Sequence, residues 1–352
     1  MTTAYADSTP PPAAAVVDAR YAGRDGSGVD GTPTYHTIGA ALAAAPTDGR
    51  AYVVRVRAGR YREKRSVDRP NVSLVGDGRA ATVLTYDDAA GTPGPGGGTL
   101  GTRGSWTLRV PAPGFRAAHL TIENAFDFDA NARKPAGDST KLQGTQGVAL
   151  ALVDGSDRAV LDDVRLLGHQ DTFFANAGRA YVRGSEIAGH VDFIFGAGRV
   201  VFDSCDVVSL DRGSPAGNGY VTAPSTDAAT PVGFLFVHSR LRKANPAMAT
   251  NSVALGRPWH PSATPLAVGS AVFLDCWMDD HVGARGWDRM SSVDSATKVR
   301  YWFEPANARF FEWHSTGPGA VASPTRRVLG EGDVRSYTVG RVLGDWVPEV
   351  RR

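Results

Sequence analysis

Short runs of alternating apolar and polar residues recur along the chain at an interval of roughly 20 residues. The run at residues 158–168 returns 21 residues later at 179–189, and 20 residues after that at 199–209. Looser copies lie at residues 115–124, 234–243 and 272–280. Short strands separated by small turns at this spacing predict an all-β fold, a parallel β-helix with roughly one coil per 20–25 residues. The 41 glycines and 22 prolines agree with many turns and few long helices.

Insertions interrupt the repeat, and in such a coil they usually build the binding surface. We predict loops at residues 91–104, 127–144, 212–219 and 258–269. A helix is predicted at residues 37–45, ended by Pro46, where it caps the first coil and covers an open strand edge. From about residue 288 the chain is less repetitive, which predicts a tail packed along the coil. The expected organisation is a disordered or processed segment at residues 1–15 and a single β-helix domain at 16–352.

Charge excludes some partners, because 38 lysines and arginines nearly balance 36 acidic residues and leave a net charge of +2. No basic block indicates nucleic acid, and no apolar stretch reaches the ~18–20 residues of a membrane span. Cys205 and Cys276 allow one disulfide but no disulfide framework or metal-binding cysteine pair. The sequence also lacks a serine-nucleophile elbow, a phosphate-binding loop and a metal-ligating histidine pattern, so we expect no metal and no cofactor.

Two aspartates fall at the same place in the repeat. Gly-His-Gln-Asp-Thr-Phe-Phe at residues 168–174 returns 21 residues later as Gly-His-Val-Asp-Phe-Ile-Phe. Since stacked parallel strands lie about 4.7–4.9 Å apart, Asp171 and Asp192 should be neighbours on successive turns. Two carboxylates so close are hard to keep doubly ionised, so one can be an acid and the other a base or nucleophile. The alternative is a pair of solvated turn residues, which the adjacent phenylalanines argue against.

Further polar side chains could complete a site around these aspartates. Leu-Gly-Arg-Pro-Trp at residues 255–259 fixes Arg257 at the start of a loop, where its guanidinium could keep one aspartate ionised. Trp259 would then offer a stacking face to a sugar ring. Gln146 lies 24 residues before Gln170, so it should sit one rung above the aspartates, and amide donors suit a developing oxyanion. From the residues alone, Arg257 could equally be a surface arginine and Gln146 a polar residue at a strand start.

The motifs, taken in order, resemble the pectin methylesterases of carbohydrate esterase family 8, and the bacterial members more than the plant ones. The resemblance runs from about Val16 to Pro348, and the matching segments are residues 59–63, 146–150, 170–173, 192–196, 219–226, 255–259 and 317–320. It implies a right-handed β-helix with three parallel sheets. It also implies an enzyme that hydrolyses the methyl esters of galacturonate units in pectin and releases methanol. A monomer is expected, and export is inferred from the polymeric substrate, since no signal peptide is visible.

The resemblance also implies roles for individual residues. Asp192 would be the nucleophile and Asp171 the acid/base, while Arg257 would orient and ionise Asp192. Gln146 and Gln170 would stabilise the oxyanion. The residues that would contact the sugar or line the cleft are Trp259, Phe174, Phe195 and Met290.

Several positions depart from the family pattern. Gly147 replaces an alanine and is expected to loosen the backbone beside an oxyanion donor. Phe173 and Phe174 replace a leucine and a tyrosine, which removes one hydroxyl. Ser185 faces Cys205, so the disulfide common in bacterial relatives is expected to be absent.

Two other functional classes remain open at this point. Two carboxylates at about 5 Å would also suit a retaining glycosidase, and a β-helix lyase could act on the same polymer. A non-catalytic carbohydrate-binding β-helix would keep the groove without turnover.

Overall fold

The computed structural model describes residues 12–28 and 31–348. Residues 1–11 lie outside the described part, so the predicted N-terminal segment stays a prediction. The first half contains β1 (Ala15–Val17), β2 (Thr34–Tyr35), α1 (Ile38–Ala43), β3 (Tyr52–Val56), β4 (Gly59–Arg62), β5 (Arg65–Ser66), β6 (Val72–Gly76), β7 (Thr82–Tyr86), β8 (Leu108–Val110), β9 (Arg116–Ala118), β10 (Thr121–Asn124), α2 (Phe128–Arg133), β11 (Leu150–Leu152), β12 (Ala159–Asp162), β13 (Arg165–Leu167) and β14 (Phe173–Ala175). The second half contains β15 (Arg179–Arg183), β16 (Glu186–Gly189), β17 (Val191–Gly196), β18 (Arg199–Asp203), β19 (Asp206–Ser209), β20 (Gly219–Pro224), β21 (Phe234–Val237), β22 (Arg240–Lys243), β23 (Val253–Gly256), β24 (Ser270–Leu274), β25 (Trp277–Met278), β26 (Met290–Val293), β27 (Arg300–Phe303), β28 (Arg309–Trp313) and α3 (Val339–Leu343).

Three long sheets run along the molecule, and from β3 to β25 every third strand belongs to the same sheet. Sheet A has the order β2-β1-β3-β6-β9-β12-β15-β18-β21-β24-β28, sheet B β4-β7-β10-β13-β16-β19-β22-β25, and sheet C β5-β8-β11-β14-β17-β20-β23. Every pairing within them is parallel, whereas β26 and β27 form a separate antiparallel hairpin. This arrangement is a parallel β-helix with three sheets, and the predicted fold class is confirmed.

The repeat sets the strand register. Ala159 pairs with Ala180 and Arg179 with Arg199, so the three best copies stack as successive coils of sheet A. Residues that point into the coil form one continuous core. Within it Phe202, Phe236 and Phe273 stack in a column, with ring centroids 4.3 and 4.4 Å apart. The alternation read from the sequence is therefore the alternation between core and outer surface.

Helix α1 and the C-terminal segment both pack against the coil. Helix α1 begins after Thr37, whose hydroxyl accepts from the Ala40 N–H. The Glu63 carboxylate accepts the N–H groups of Ile38 and Gly39 at 2.8 and 2.9 Å, which ties the predicted capping helix to the coil. The C-terminal segment packs Val342 and Leu343 of α3 on the outer face of sheet A, as expected for a tail along the coil.

Two sequence predictions need correction. The repetition continues past residue 288, because β28 joins β24 as the last strand of sheet A. The predicted loop at residues 127–144 contains α2, whose start is capped by the Asp127 side chain accepting from the Ala130 N–H. Among the described helices, none is long and apolar enough to cross a membrane.

Candidate active site

A cleft of about 270 Å³ lies on the outer face of sheet C. The side chains that line it are Thr102, Arg103, Gln146, Gln170, Asp171, Phe174, Asp192, Phe195, Ala223, Arg257, Trp259 and Met290. All nine residues that the sequence analysis singled out are therefore brought together. Thr102, Arg103 and Ala223 were not foreseen.

Extra residues in successive rungs place the two aspartates in this cleft. In successive coils, the same two paired positions of sheet C are separated by a different number of residue steps. The separation is four steps from Gln146 to Leu150, three from Gln170 to Phe173, three from Val191 to Ile194, and two from Tyr220 to Thr222. Asp171 and Asp192 sit at equivalent places in the two three-residue rungs, with φ of 65° and 51°. Aspartate tolerates this left-handed conformation better than most residues, and a bulge of this kind redirects a side chain.

Arg257 forms a bidentate salt bridge with Asp192. Its Nε donates to Oδ1 at 2.8 Å and its Nη2 donates to Oδ2 at 2.6 Å. The guanidinium lies over the Tyr220 ring, with its central carbon 4.0 Å from the ring centre. Burial opposes the charged guanidinium, but the hydrogen bonds and charge of Asp192 outweigh it and raise the pKa of Arg257. These two hydrogen bonds engage both oxygens of the Asp192 carboxylate and fix its orientation.

Asp171 lies in the opposite electrostatic situation. Only 8% of the residue is exposed. In the part of the chain that the structure describes, no positively charged side chain forms an ion pair with its carboxyl group. Burial, and next the negative charge of Asp192, raise the pKa of Asp171 well above its usual range. Arg257 and the Thr102 hydroxyl act in the other direction without cancelling the effect. One carboxyl group is thus paired with a guanidinium, while its neighbour lacks such a partner and favours the protonated form.

The two glutamines stack on neighbouring rungs, as the 24-residue spacing predicted. Gln146 bridges Gln170 in parallel register, and the Gly147 N–H donates to the Gln170 carbonyl at 2.9 Å. The Thr145 hydroxyl donates to Oε1 of Gln170 at 3.3 Å, which leaves the amide N–H groups of Gln170 available to a ligand. The position of both amides at the cleft wall beside the aspartates suits donation to an oxyanion.

Gly147 is tightly packed, contrary to the looser backbone expected from the sequence. A Cβ atom at this position would lie 2.5 Å from Oδ1 of Asn124. Asn124 is buried, and its amide donates to the carbonyls of Asp88 and Ser105 at 2.8 and 3.0 Å. The glycine therefore makes room for an asparagine that ties neighbouring rungs together.

Aromatic side chains form the apolar part of the cleft. Phe174 and Phe195 stack with ring centroids 4.5 Å apart, and Trp259 tilts against Phe195 at 5.7 Å. Met290 enters from the first position of the β26–β27 hairpin. Such a surface can hold the apolar face of a sugar ring beside the polar groups.

A second cavity of about 330 Å³ adjoins this cleft and shares Gln170 and Arg257 with it. His190 lines the cavity and is only 3% exposed, yet neither of its ring nitrogens has a hydrogen-bond partner in the described structure. Its ring lies 4.4 Å from Phe128 and 5.4 Å from His169, measured between centroids. Burial, followed by repulsion from His169 and Arg212, lowers the pKa of His190 to about 3.

We expect this buried histidine to make the protein less stable as the pH falls. The unfolded chain takes up a proton at His190 near pH 6.5, whereas the folded chain does so only near pH 3. The stability that neutral His190 contributes is fully present above pH 6.5 and is lost as the pH falls towards 3. The free energy of unfolding falls by about 2 kcal/mol between pH 6.5 and 5. Urea unfolding at pH 7 and pH 5 should show a smaller loss for His190→Gln than for the wild type. His238→Gln, at an exposed histidine, is the control, and equal losses in all three proteins would contradict the prediction.

The sequence of this chain matches a family of known proteins over most of its length. The pectinesterase family model matches residues 27–344. The chain belongs to the pectinesterase family. Pectinesterase A of Dickeya dadantii (strain 3937) is 41% identical over 326 residues, which cover 90% of this chain and 88% of that protein.

Solved pectin methylesterases share the fold as well. The enzyme from Yersinia enterocolitica superposes with a TM-score of 0.85 at 44% identity, covering 89% of this chain and 99% of that one. A pectin methylesterase in complex with a hexasaccharide has a TM-score of 0.90 at 39% identity, covering 97% of this chain and all of that one. The resemblance inferred from the motifs is confirmed, and the pectinesterase described here is a carboxylic ester hydrolase.

The two cysteines form no disulfide in the described structure. Cys205 and Cys276 are both free and buried, and Ser185 instead accepts a hydrogen bond from the Val164 N–H at 3.0 Å. Within residues 12–28 and 31–348, no group of three or more histidine, cysteine or acidic side chains could hold a metal ion.

Proposed function

We propose that this pectinesterase hydrolyses the methyl esters of galacturonate units in pectin, with Asp192 as nucleophile and Asp171 as acid and base. The observation that carries the proposal is the unequal treatment of two adjacent carboxyl groups. Arg257 donates two hydrogen bonds to the Asp192 carboxylate, whereas Asp171 is buried without such a partner. A nucleophile must be charged and a general acid must hold a proton, so the two environments fit the two roles.

In the first step, a carboxylate oxygen of Asp192 attacks the ester carbonyl carbon. The amides of Gln146 and Gln170 donate to the oxyanion of the tetrahedral intermediate. The bond to the methoxy oxygen breaks, that oxygen takes the proton of Asp171, and methanol leaves. An anhydride then joins the sugar acid to Asp192.

In the second step, Asp171 is a carboxylate and acts as a base. It takes a proton from a water molecule, whose oxygen attacks the carbonyl carbon of the sugar acid. The anhydride bond breaks, the Asp192 carboxylate is restored, and Asp171 again carries a proton. Trp259, Phe174, Phe195 and Met290 hold the sugar chain along the cleft during both steps.

The test is an assay of purified protein on methyl-esterified polygalacturonate. Methanol release with little loss of viscosity supports the proposal. A rapid fall in viscosity without methanol would instead indicate a glycosidase, and an ultraviolet-absorbing product would indicate a lyase. Binding without any turnover would indicate the non-catalytic alternative. A polymeric substrate also implies an enzyme that acts outside the cell. That location and a monomeric state stay predictions, the latter open to sedimentation analysis.

Asp171→Asn should lower methanol release by about 10²–10⁴-fold, because the amide can neither deliver nor accept the transferred proton. The wild type should lose activity as the pH rises through the raised pKa of Asp171, since the acid then lacks its proton. The variant should lack this alkaline limb. Rates measured across the pH range would settle both points, and a variant with the wild-type profile would contradict the acid role.

A further inference from the structure

The β26–β27 hairpin stands apart from the three sheets and has two different faces. Its strands pair Met290 with Phe303 and Ser291 with Trp302. Because side chains alternate along a strand, Trp302 lies on the side opposite to Met290 and Phe303. On the side of these two residues, Met290 lines the catalytic cleft and the Phe303 ring stacks on His260 at 3.6 Å between centroids. We name the opposite side the outer hairpin face, and it consists of Arg289, Ser291, Val293, Arg300, Trp302 and Glu304.

The outer hairpin face exposes a tryptophan between two arginines. Trp302 is 55% exposed, and the central guanidinium carbon of Arg289 lies 4.3 Å from the centre of its ring. Arg289 also forms an ion pair with Glu304 at 3.8 Å. Arg300 lies two residues before Trp302 on the same strand and is exposed. Its Nη1 donates to the Ser291 hydroxyl at 2.8 Å, and in the described part of the chain no acidic side chain forms an ion pair with it. A large exposed apolar ring beside an uncompensated cation is typical of a binding surface.

Local contacts hold this face in a fixed position. At the turn of the hairpin, the Asp294 carboxylate accepts the N–H groups of Ala296 and Thr297 at 2.8 Å each. Nearer its base, the Ser292 hydroxyl accepts from the Ala263 N–H of the neighbouring loop at 3.2 Å. A two-stranded hairpin is only marginally stable by itself, so these contacts supply the rigidity that it would otherwise lack. A rigid aromatic surface loses little conformational entropy when it binds a ligand.

The size and chemistry of the outer hairpin face favour a polysaccharide over a protein partner. Two strands of this length, with their side chains, cover roughly 14 Å by 10 Å. A stable protein interface needs about 800 Å² on each partner, which is several times more. A short stretch of a sugar chain fits the smaller area, because the apolar face of a sugar ring can stack on an indole. The guanidinium groups beside the ring suit a sugar that carries a carboxylate.

We propose that the outer hairpin face is a second polysaccharide-binding site, outside the cleft, which binds de-esterified stretches of polygalacturonate. The inference rests on the proposed function, because that reaction supplies the free carboxylates. Trp302 stacks on one sugar ring, and Arg300 binds the carboxylate of a neighbouring unit. The hairpin leaves the cleft at Met290, so a stretch of product bound on its back keeps the enzyme close to the remaining esters of the same polymer.

The experiment measures binding to fully de-esterified polygalacturonate, which contains no ester to hydrolyse. Trp302→Ala should weaken this binding by about fivefold to tenfold, because the stacking surface is lost. Arg300→Gln should weaken it by about threefold at low salt and by less at high salt. Both variants should keep the wild-type kcat/KM on a short methyl-esterified oligomer, since neither side chain lines the cleft.

Trp277→Ala and Arg335→Gln are the matched controls. Trp277 is 37% exposed on β25 of sheet B, and Arg335 is exposed on the C-terminal segment. The same chemical changes at these positions should leave polymer binding at the wild-type level. A neutral glucan of similar length should not bind to the wild type. Thermal midpoints of both hairpin variants should agree with that of the wild type, because Trp302 and Arg300 are exposed.

Several outcomes would overturn the inference. Unchanged polymer binding in both hairpin variants would show that the outer hairpin face contacts no polymer. An equal loss of polymer binding and of turnover on the short oligomer would make Trp302 a residue that shapes the cleft. Self-association of the wild type that is lost in Trp302→Ala would make the face a contact between copies of this chain. Failure of the wild type to release methanol would reject the proposed function, and it is told apart from these results because binding to an ester-free polymer is measured without turnover.

Discussion

Asp192→Asn is expected to abolish methanol release, with a loss of at least about 10⁴-fold, while the protein stays folded. The amide has the shape of the carboxylate but cannot attack an ester and form an anhydride. Its oxygen can still accept one of the two hydrogen bonds from Arg257, so the buried guanidinium keeps a partner. The fold should therefore survive, as circular dichroism and a thermal scan would show.

Asp163→Asn provides a matched control for this variant. Asp163 has nearly the same left-handed backbone, with φ of 53° against 51° at Asp192, and lies outside the cleft. The same chemical change there should leave methanol release at the wild-type level. If Asp192→Asn kept activity within tenfold of the wild type, another group would have to be the nucleophile.

Arg257→Gln should lower activity by about 10²–10³-fold and also destabilise the protein. Asp192 would be left as a buried carboxylate without a countercharge, since its side chain is only 7% exposed. Losing one partner of a buried pair costs about 3–5 kcal/mol, although a group can escape part of this by taking up a proton. A protonated or misoriented Asp192 is a poor nucleophile, which accounts for the expected loss of activity.

Arg257→Lys separates charge from geometry. Lysine supplies a positive charge but not the planar fork that contacts both oxygens of Asp192. We expect its activity and its free energy of unfolding to lie between those of the wild type and Arg257→Gln. Urea unfolding and methanol release at several pH values would measure both. Wild-type activity in Arg257→Gln would show that the fork is not needed to keep the nucleophile charged.

The sequence predicted those parts of the site that the repeat itself generates. Asp171, Asp192 and Gln170 share the strand register of successive coils, so a 21-residue offset was enough to place them together. Arg257 and Trp259 were predicted from a short motif, and only the structure shows that the guanidinium reaches across 65 residues of sequence to Asp192. The core was predictable for the same reason, since alternation along a strand separates inside from outside.

The remaining contacts depend on where insertions fold back, which periodicity does not encode. Thr102 and Arg103 enter the cleft at the end of a loop, and Tyr220 contacts Arg257 from a strand that follows another insertion. Helix α2 was missed although Asp127 is a common type of helix-capping residue. The polar composition of this segment favours a loop and outweighs a single capping signal.

The coils at the cleft differ in the number of residues per rung, and this difference decides where a carboxyl group can project. Where the coil takes three residues, an aspartate bends out, and where it takes two, the ladder closes without one. A single-residue deletion at Asp192 would give β17 the same step as β20, which makes a more regular solenoid that lacks one of the two carboxyl groups of the cleft. A regular rung and a projecting aspartate therefore exclude each other at this one position.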